Sequence, residues 1–388
     1  MSFDFDVILD RRNTGSLKWE YPARALGKPD VIPMWVADMD FAAPPAVVES
    51  VRKRAAHGAY GYAWIPDSFW DSVTHWMAAR HGWLIRREWM ILTPGVVPAL
   101  SLCVTAFTHP GDKIVIQTPV YRPFTTAIEN NGRRIARNPL LFDGETWRMD
   151  FEDLERKIDR WTRLLILCSP HNPVGRVWNA GELGRLGDIC RSKDILVVSD
   201  EIHQDLVFRS HRHIPFASLD EDLAERTITL VAPSKTFNIA GFLTAVAVAS
   251  NPRLRRRLDA EAERAGLVLA NVFGTVALEA AYNHGADWLE ALLQYLEGTI
   301  ARTADFFRRR MAKIRFHEPE GTYLGLLDCR ALGMAQKDLD AFFLEKARVH
   351  FDAGTIFGSE LEGWERINLA CPRARVDEVL ERIARSLA

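Results

Sequence analysis

Five short apolar runs along the middle of the chain set the tightest limit on what it can fold into. They are Lys113–Gln117 (KIVIQ), Leu164–Cys168 (LLILC), Ile195–Ser199 (ILVVS), Thr227–Val231 (TITLV) and Thr244–Ala249 (TAVAVA). Each is too short for a stable helix and too continuously apolar for a strand with one wet face. Such runs fit strands of a sheet covered on both sides. Helical patterns separate them. Glu182–Lys193 (ELGRLGDICRSK) has apolar residues at 183, 186, 189 and 190, the spacing of one helix face. Strand and helix in alternation predict an α/β architecture with a largely parallel sheet.

The texture changes after residue 252. Pro252–Gly266 reads as a charged helix, Gly274–Tyr282 as an apolar one, and Trp288–Lys313 as a long amphipathic one. A strand follows at Gly321–Asp328 (GTYLGLLD), and the rest alternates helix and strand on a smaller scale. With 388 residues the chain exceeds a single core of ~150 residues, so a second, smaller domain is expected at this end, completed by the N-terminal stretch. The basic clusters Arg255–Arg257 and Arg308–Arg310 read as solvated helix faces.

Composition narrows the function. The formal net charge of −2 gives no reason to expect nucleic acid or an anionic membrane as a partner. Cysteines at 103, 168, 190, 329 and 371 form no CxxC pair and are odd in number, which fits a reducing compartment. The stretch MSFDFDVILDRR lacks a signal pattern, and apolar runs such as Leu243–Ala249 are far shorter than the ~20 residues of a membrane span. A cytoplasmic protein is expected.

Ligands of open α/β sheets sit at the carboxyl ends of the strands. After ILVVS comes Asp200-Glu201-Ile202-His203; after LLILC comes Ser169-Pro170-His171-Asn172-Pro173; after TITLV comes Ala232-Pro233-Ser234-Lys235; after KIVIQ comes Thr118-Pro119-Val120-Tyr121. Four strand ends thus deliver an acid, an amide, an amine and an aromatic ring to one rim. Singly, each has a plain explanation: a helix cap, a turn, a surface lysine. Together they are harder to dismiss.

Ordered across the chain, PMWVADMDF (33–41), TPGVVPAL (93–100), PVYRPF (119–124), LCSPHNPVGRVW (167–178), SDEIHQDLVF (199–208), APSKTFNIAG (232–241), EGTYLGLLD (320–328) and ERINLACP (365–372) resemble the pyridoxal-phosphate enzymes of the aspartate-aminotransferase fold, the class I and II aminotransferases. GYGYAW (59–64) matches more loosely, and the pattern is most similar to the cystathionine β-lyase-like C–S lyases. The resemblance implies fold type I: a large domain, 46–284, with a mixed, mostly parallel seven-stranded sheet between helices, and a small α+β domain from 1–45 and 285–388. It also implies a homodimer with shared active sites.

The resemblance assigns roles to matching residues. Lys235 would form an imine with the cofactor aldehyde and then act as the base. Asp200 would keep the pyridine nitrogen protonated, and Tyr121 would stack on the ring. Asn172 would hydrogen-bond the ring oxygen and line the substrate side. His203 would support the Asp200 or ring-oxygen network, unless it is only a hydrogen-bonded core histidine. The backbone N–H groups of Val96 and Val97 and the Ser234 hydroxyl would hold the phosphate. Tyr62 would reach that phosphate from the other subunit, with Tyr60 as the competing choice. Arg366 would clamp the substrate carboxylate, facing Ala37 across the pocket.

One departure informs the choice of reaction. Many aminotransferases have a phosphate-binding arginine eight residues after the lysine; here Leu243 stands there, and no cation follows Gly241 until Arg253. That trait favours a C–S β-lyase acting on L-cystathionine or other cysteine S-conjugates. An aminotransferase is the second reading, and a non-catalytic cofactor-binding regulator a remote third. Tyr121, Phe124, Trp64 and Trp35 suggest a site tolerant of apolar conjugates. Asp38 and Asp40 are read as structural. His211 and His213 lie between Arg209 and Arg212, which disfavours a metal, and nothing supports Glu318 and Glu320 as a catalytic pair.

Overall fold

The computed structural model describes residues 3–387. Its main sheet has seven strands: β1 (Met90–Thr93), β2 (Lys113–Ile116), β3 (Arg134–Arg137), β4 (Thr162–Cys168), β5 (Leu196–Asp200), β6 (Thr227–Val231) and β7 (Ala245–Val248). Their order is β1-β7-β6-β5-β4-β2-β3. All neighbours are parallel except β7, which runs antiparallel to both β1 and β6. All five apolar runs are strands of this sheet.

Their continuous apolar character follows from burial on both faces. Along β4, Leu164, Ile166 and Cys168 enter one core while Leu165 and Leu167 enter the other. Along β5, Val198 and Val197 divide in the same way. Each such side chain contributes about 1.5–3 kcal/mol by leaving water, which favours apolar residues on both faces of these strands. The helix read at Glu182–Lys193 spans Ala180–Ser192. It starts earlier because Asn179 caps it: the Asn179 side chain accepts from the Glu182 N–H, and the Glu182 carboxylate accepts from the Asn179 N–H, both at 3.0 Å.

The C-terminal part builds a four-stranded antiparallel sheet ordered Arg315–His317, Leu324–Asp328, Trp364–Asn368, Asp352–Ala353. The N-terminal stretch joins it through Ile32–Pro33, which pairs in parallel with Val349–His350. The long helix, Ala286–Arg310, runs between the two parts of the chain.

Buried charges fasten the N-terminal stretch. Lys18 is wholly buried; its Nζ donates to Asp40 Oδ2 at 2.8 Å and to the Asp38 carbonyl at 2.9 Å. Trp19 Nε1 and Arg11 Nη1 both donate to Asp40 Oδ1 at 2.9 Å, and Arg11 Nη2 donates to Asp38 Oδ2 at 2.8 Å. Burial alone would push the Asp40 carboxyl up, yet Lys18, Trp19 and Arg11 together hold it below the usual range. Asp38 and Asp40 are therefore framework residues, as expected.

Candidate active site

The carboxyl ends of β2, β4, β5 and β6 open onto a cavity of about 520 Å³. Tyr121, Asn172, Asp200, His203, Ser234 and Lys235 line it, together with Val96 and Val97. Arg366 and Ala37 close the opposite side. Ten of the eleven residues singled out from sequence are thus united here: the exception is Tyr62, which is 90% exposed on an irregular stretch and does not line the cavity of its own chain. Tyr60 is turned to its own chain, donating to the Ala55 carbonyl at 2.6 Å.

Two expectations about aromatic residues need correction. Phe124 is fully buried in the core, and Trp64, 89% exposed on the same irregular stretch as Tyr62, does not line the cavity of its own chain. Phe124 is the third residue of the helix Arg122–Glu129, which turns it inward. Tyr121 and Trp35 do line the cavity.

Lys235 lies in a tight turn after β6. Its Nζ donates to the Ala37 carbonyl at 2.6 Å. Burial lowers its pKa to about 8; Arg366 adds to this, while Asp38 and Asp200 oppose it. Asn238 locks the turn to the N-terminal stretch. It tolerates a left-handed backbone (φ 55°), donates to the Met39 and Phe41 carbonyls, and accepts from the Met39 N–H. On the other side Thr236 donates to Asp205 at 2.8 Å; Asp205 also accepts from Trp76 at 3.0 Å and lies 2.8 Å from the His81 ring. This buried support for the lysine turn was not read from the sequence, because Thr236, Asp205 and the Trp76–His81 pair lie on segments far apart in the chain and share no local pattern.

Asp200, the last residue of β5, is held differently. Only the Ile202 N–H donates to it, at 3.1 Å, and no cation pairs with it among the described residues. Burial pushes its carboxyl up to about 7. His203 is buried, its Nδ1 has no partner, and burial followed by the Lys235 and Arg366 charges lowers it to about 3, so the ring is neutral. His203 thus faces the cavity with bonding capacity unused.

Arg366 is 3% exposed. Its Nη1 donates to Asn172 Oδ1 at 2.9 Å, and its Nη2 donates to the Trp35 carbonyl at 3.1 Å and to Asp352. Its plane lies 4.6 Å over Phe357, and its Nε has no partner. Asp352 was missed from the sequence; it pairs with Arg366 across two neighbouring antiparallel strands, a contact that only the sheet register creates.

At the other end of the cavity, Gly95 (φ 108°) turns the chain into the helix Val96–Phe107, which has no side-chain cap. The first N–H groups of that helix are left to bind an anion. Leu243 lines this end in a left-handed conformation (φ 48°), unusual for a branched side chain, and brings no charge. His213 lies elsewhere, 2.9 Å from Glu201, and Glu320 pairs with Arg176.

A mixed sheet with a reactive amine, an unpaired acid and an arginine fork on its carboxyl rim defines an enzyme-type site. The family model for aminotransferase class I and II matches residues 29–383, and the chain belongs to that family. Cystathionine beta-lyase PatB of Bacillus subtilis is 43% identical, covering 99% of this chain and all of the relative. The crystal structure of cystalysin from Treponema denticola, which contains pyridoxal 5'-phosphate, superposes with a TM-score of 0.97 at 40% identity, covering 100% of this chain and 99% of that one. A pyridoxal-phosphate-bound C–S lyase from Staphylococcus hominis gives a TM-score of 0.93 at 32% identity, with the same coverage.

The cavity fits such a cofactor on its own terms. Asp200 is a buried acid lacking the cationic N–H partner a protonated pyridine offers. Lys235 is an amine poised to lose its proton, and the uncapped helix suits a phosphate.

Proposed function

We propose that this chain is a pyridoxal-phosphate-dependent C–S β-lyase, cleaving L-cystathionine or other cysteine S-conjugates to a thiol, pyruvate and ammonia. The observation that carries the reading is Lys235: a shielded amine with its pKa near 8, in one cavity with the unpaired Asp200 and the Arg366 fork. Full-length similarity to proteins named for lyase chemistry supports the choice of reaction. So does the uncharged Leu243.

Bound pyridoxal phosphate supplies an electrophilic carbon for amines and a ring that accepts electrons. Val96, Val97 and Ser234 would hold its phosphate, Asp200 would keep its ring nitrogen protonated, Asn172 and His203 would offer it hydrogen bonds, and Tyr121 would stack on the ring. Arg366 takes the substrate carboxylate with its free Nε and a neighbouring N–H, opposite the Ala37 backbone. Lys235 Nζ removes the proton from the substrate Cα. The C–S bond breaks, its electron pair leaving with sulfur as a thiolate that is then protonated. The remaining 2-aminoacrylate takes up water to give pyruvate and ammonia. A second copy of the chain supplies Tyr62 to the phosphate, so the working unit is a homodimer. The large domain is 46–284, and the small domain, 1–45 with 285–388, carries Arg366.

Product analysis tests the reaction. Cystathionine should give thiol and pyruvate in equal amounts, with the cofactor unchanged after many turnovers. A keto acid with the full carbon skeleton, formed as the cofactor converts to its amine form, would instead make the chain an aminotransferase.

A further inference from the structure

The reaction above leaves one cation of the cavity without a task. Arg122 directly follows Tyr121 and lines the same cavity, but its side chain is exposed, as expected of a residue at the mouth. The other cations there are engaged: Arg366 with Asp352 and Asn172, and Lys235 with the Ala37 carbonyl. Among the described residues Arg122 forms no ion pair. Local structure does not account for it either. Arg122 is the first residue of the helix Arg122–Glu129, where the helix dipole disfavours a positive charge. The cavity it lines is largely apolar, with Trp35, Pro123, Ile356 and Phe357 among its walls. A charge contact made against such walls is stronger than one in open water.

We propose that Arg122 recognises a carboxylate on the leaving-group side of the substrate, so that the preferred substrates are cysteine S-conjugates whose sulfur substituent carries an acid. The inference rests on the lyase reading and deepens it. The two arginines come from different parts of the chain, Arg366 from the small sheet and Arg122 from the helix after β2. They divide the work accordingly: Arg366 takes the α-carboxylate common to every amino acid, and Arg122 takes the second carboxylate. A planar guanidinium suits this task better than a lysine ammonium, because it offers two parallel N–H groups. A neutral conjugate leaves Arg122 hydrated, so it is accepted but not favoured.

The test uses the cofactor-loaded enzyme and two conjugates of matched length and similar thiol acidity, S-(2-carboxyethyl)-L-cysteine and S-propyl-L-cysteine, with pyruvate release as the readout. The expected result is a kcat/KM about tenfold or more higher for the carboxylated conjugate, the value of one charge-assisted hydrogen bond. In Arg122→Gln the ratio should fall to about one, mainly through KM, and Arg122→Lys should keep an intermediate ratio. A wild-type ratio near one, or a ratio in Arg122→Gln within twofold of wild type, overturns the assignment while leaving the lyase reading intact. Absence of pyruvate from both conjugates with wild-type enzyme overturns the lyase reading itself, and this inference with it.

Discussion

Asp40 and Asp200 are each 4% exposed, yet the protein holds them in opposite ways. Asp40 receives Lys18, Trp19 and Arg11, and its carboxyl lies below the usual range. Asp200 receives one backbone N–H, and its carboxyl rises to about 7. Burial costs the same kind of energy in both places; what differs is how far the chain itself compensates it. A buried acid whose bonds are filled by the chain is framework. A buried acid left short of partners, beside an equally short His203 and an amine near its pKa, marks a place where a ligand supplies the rest.

The largest effect should come from the amine of that second cluster. Lys235→Ala removes both the cofactor attachment and the base, and should lower turnover about 10⁴-fold. The absorbance of covalently bound cofactor should vanish with it, which a spectrum of the purified protein checks. The substrate side comes next. Arg366→Lys keeps the charge but loses the fork, and should raise KM for any amino acid substrate about ten- to a hundredfold with a smaller change in kcat. Steady-state kinetics on a neutral conjugate separates this from any effect of Arg122.

A pH series sharpens the comparison further. The Lys235 pKa is lowered to about 8, so the neutral, attacking form gains about tenfold per pH unit below that value and levels off above it. Cofactor capture by cofactor-free protein should follow that curve, read by stopped-flow absorbance. A rate still climbing beyond pH 10 would mean an ordinary lysine.

Much of this was legible in the sequence, for definable reasons. Five of the seven strands of the large sheet were visible because both their faces are buried, which leaves runs such as LLILC without polar interruption; the edge strands β1 and β3 were not read. The rim was visible because the sheet places Tyr121, Asn172, Asp200 and Lys235 just past strand ends. Leu243 was visible as an absent charge at a fixed distance from Lys235. Contacts set by tertiary register were not legible. Asp352 meets Arg366 only because two antiparallel strands bring them level. Asp205, Thr236 and the helix that carries both Trp76 and His81 converge from three separate segments of the chain. Phe124 was misplaced because being near Tyr121 in sequence says nothing about which face of a helix it takes.

The central claim is that the two acids play different parts, and one paired measurement tests it most directly: melting temperature of the cofactor-free protein and kcat/KM of the loaded enzyme, for Asp40→Asn and Asp200→Asn side by side. Asp40→Asn leaves Lys18 buried without its counter-charge and should cost about 3–5 kcal/mol of stability. Asp200→Asn replaces a poorly compensated acid with a neutral amide. Because burial raises the Asp200 pKa, its ionised form opposes folding at neutral pH and above, so this variant should melt at or above the wild-type temperature. Its kcat/KM should nevertheless fall about 10²–10³-fold. An Asp200→Asn protein that melts as early as Asp40→Asn, or that keeps wild-type kcat/KM, would contradict the account.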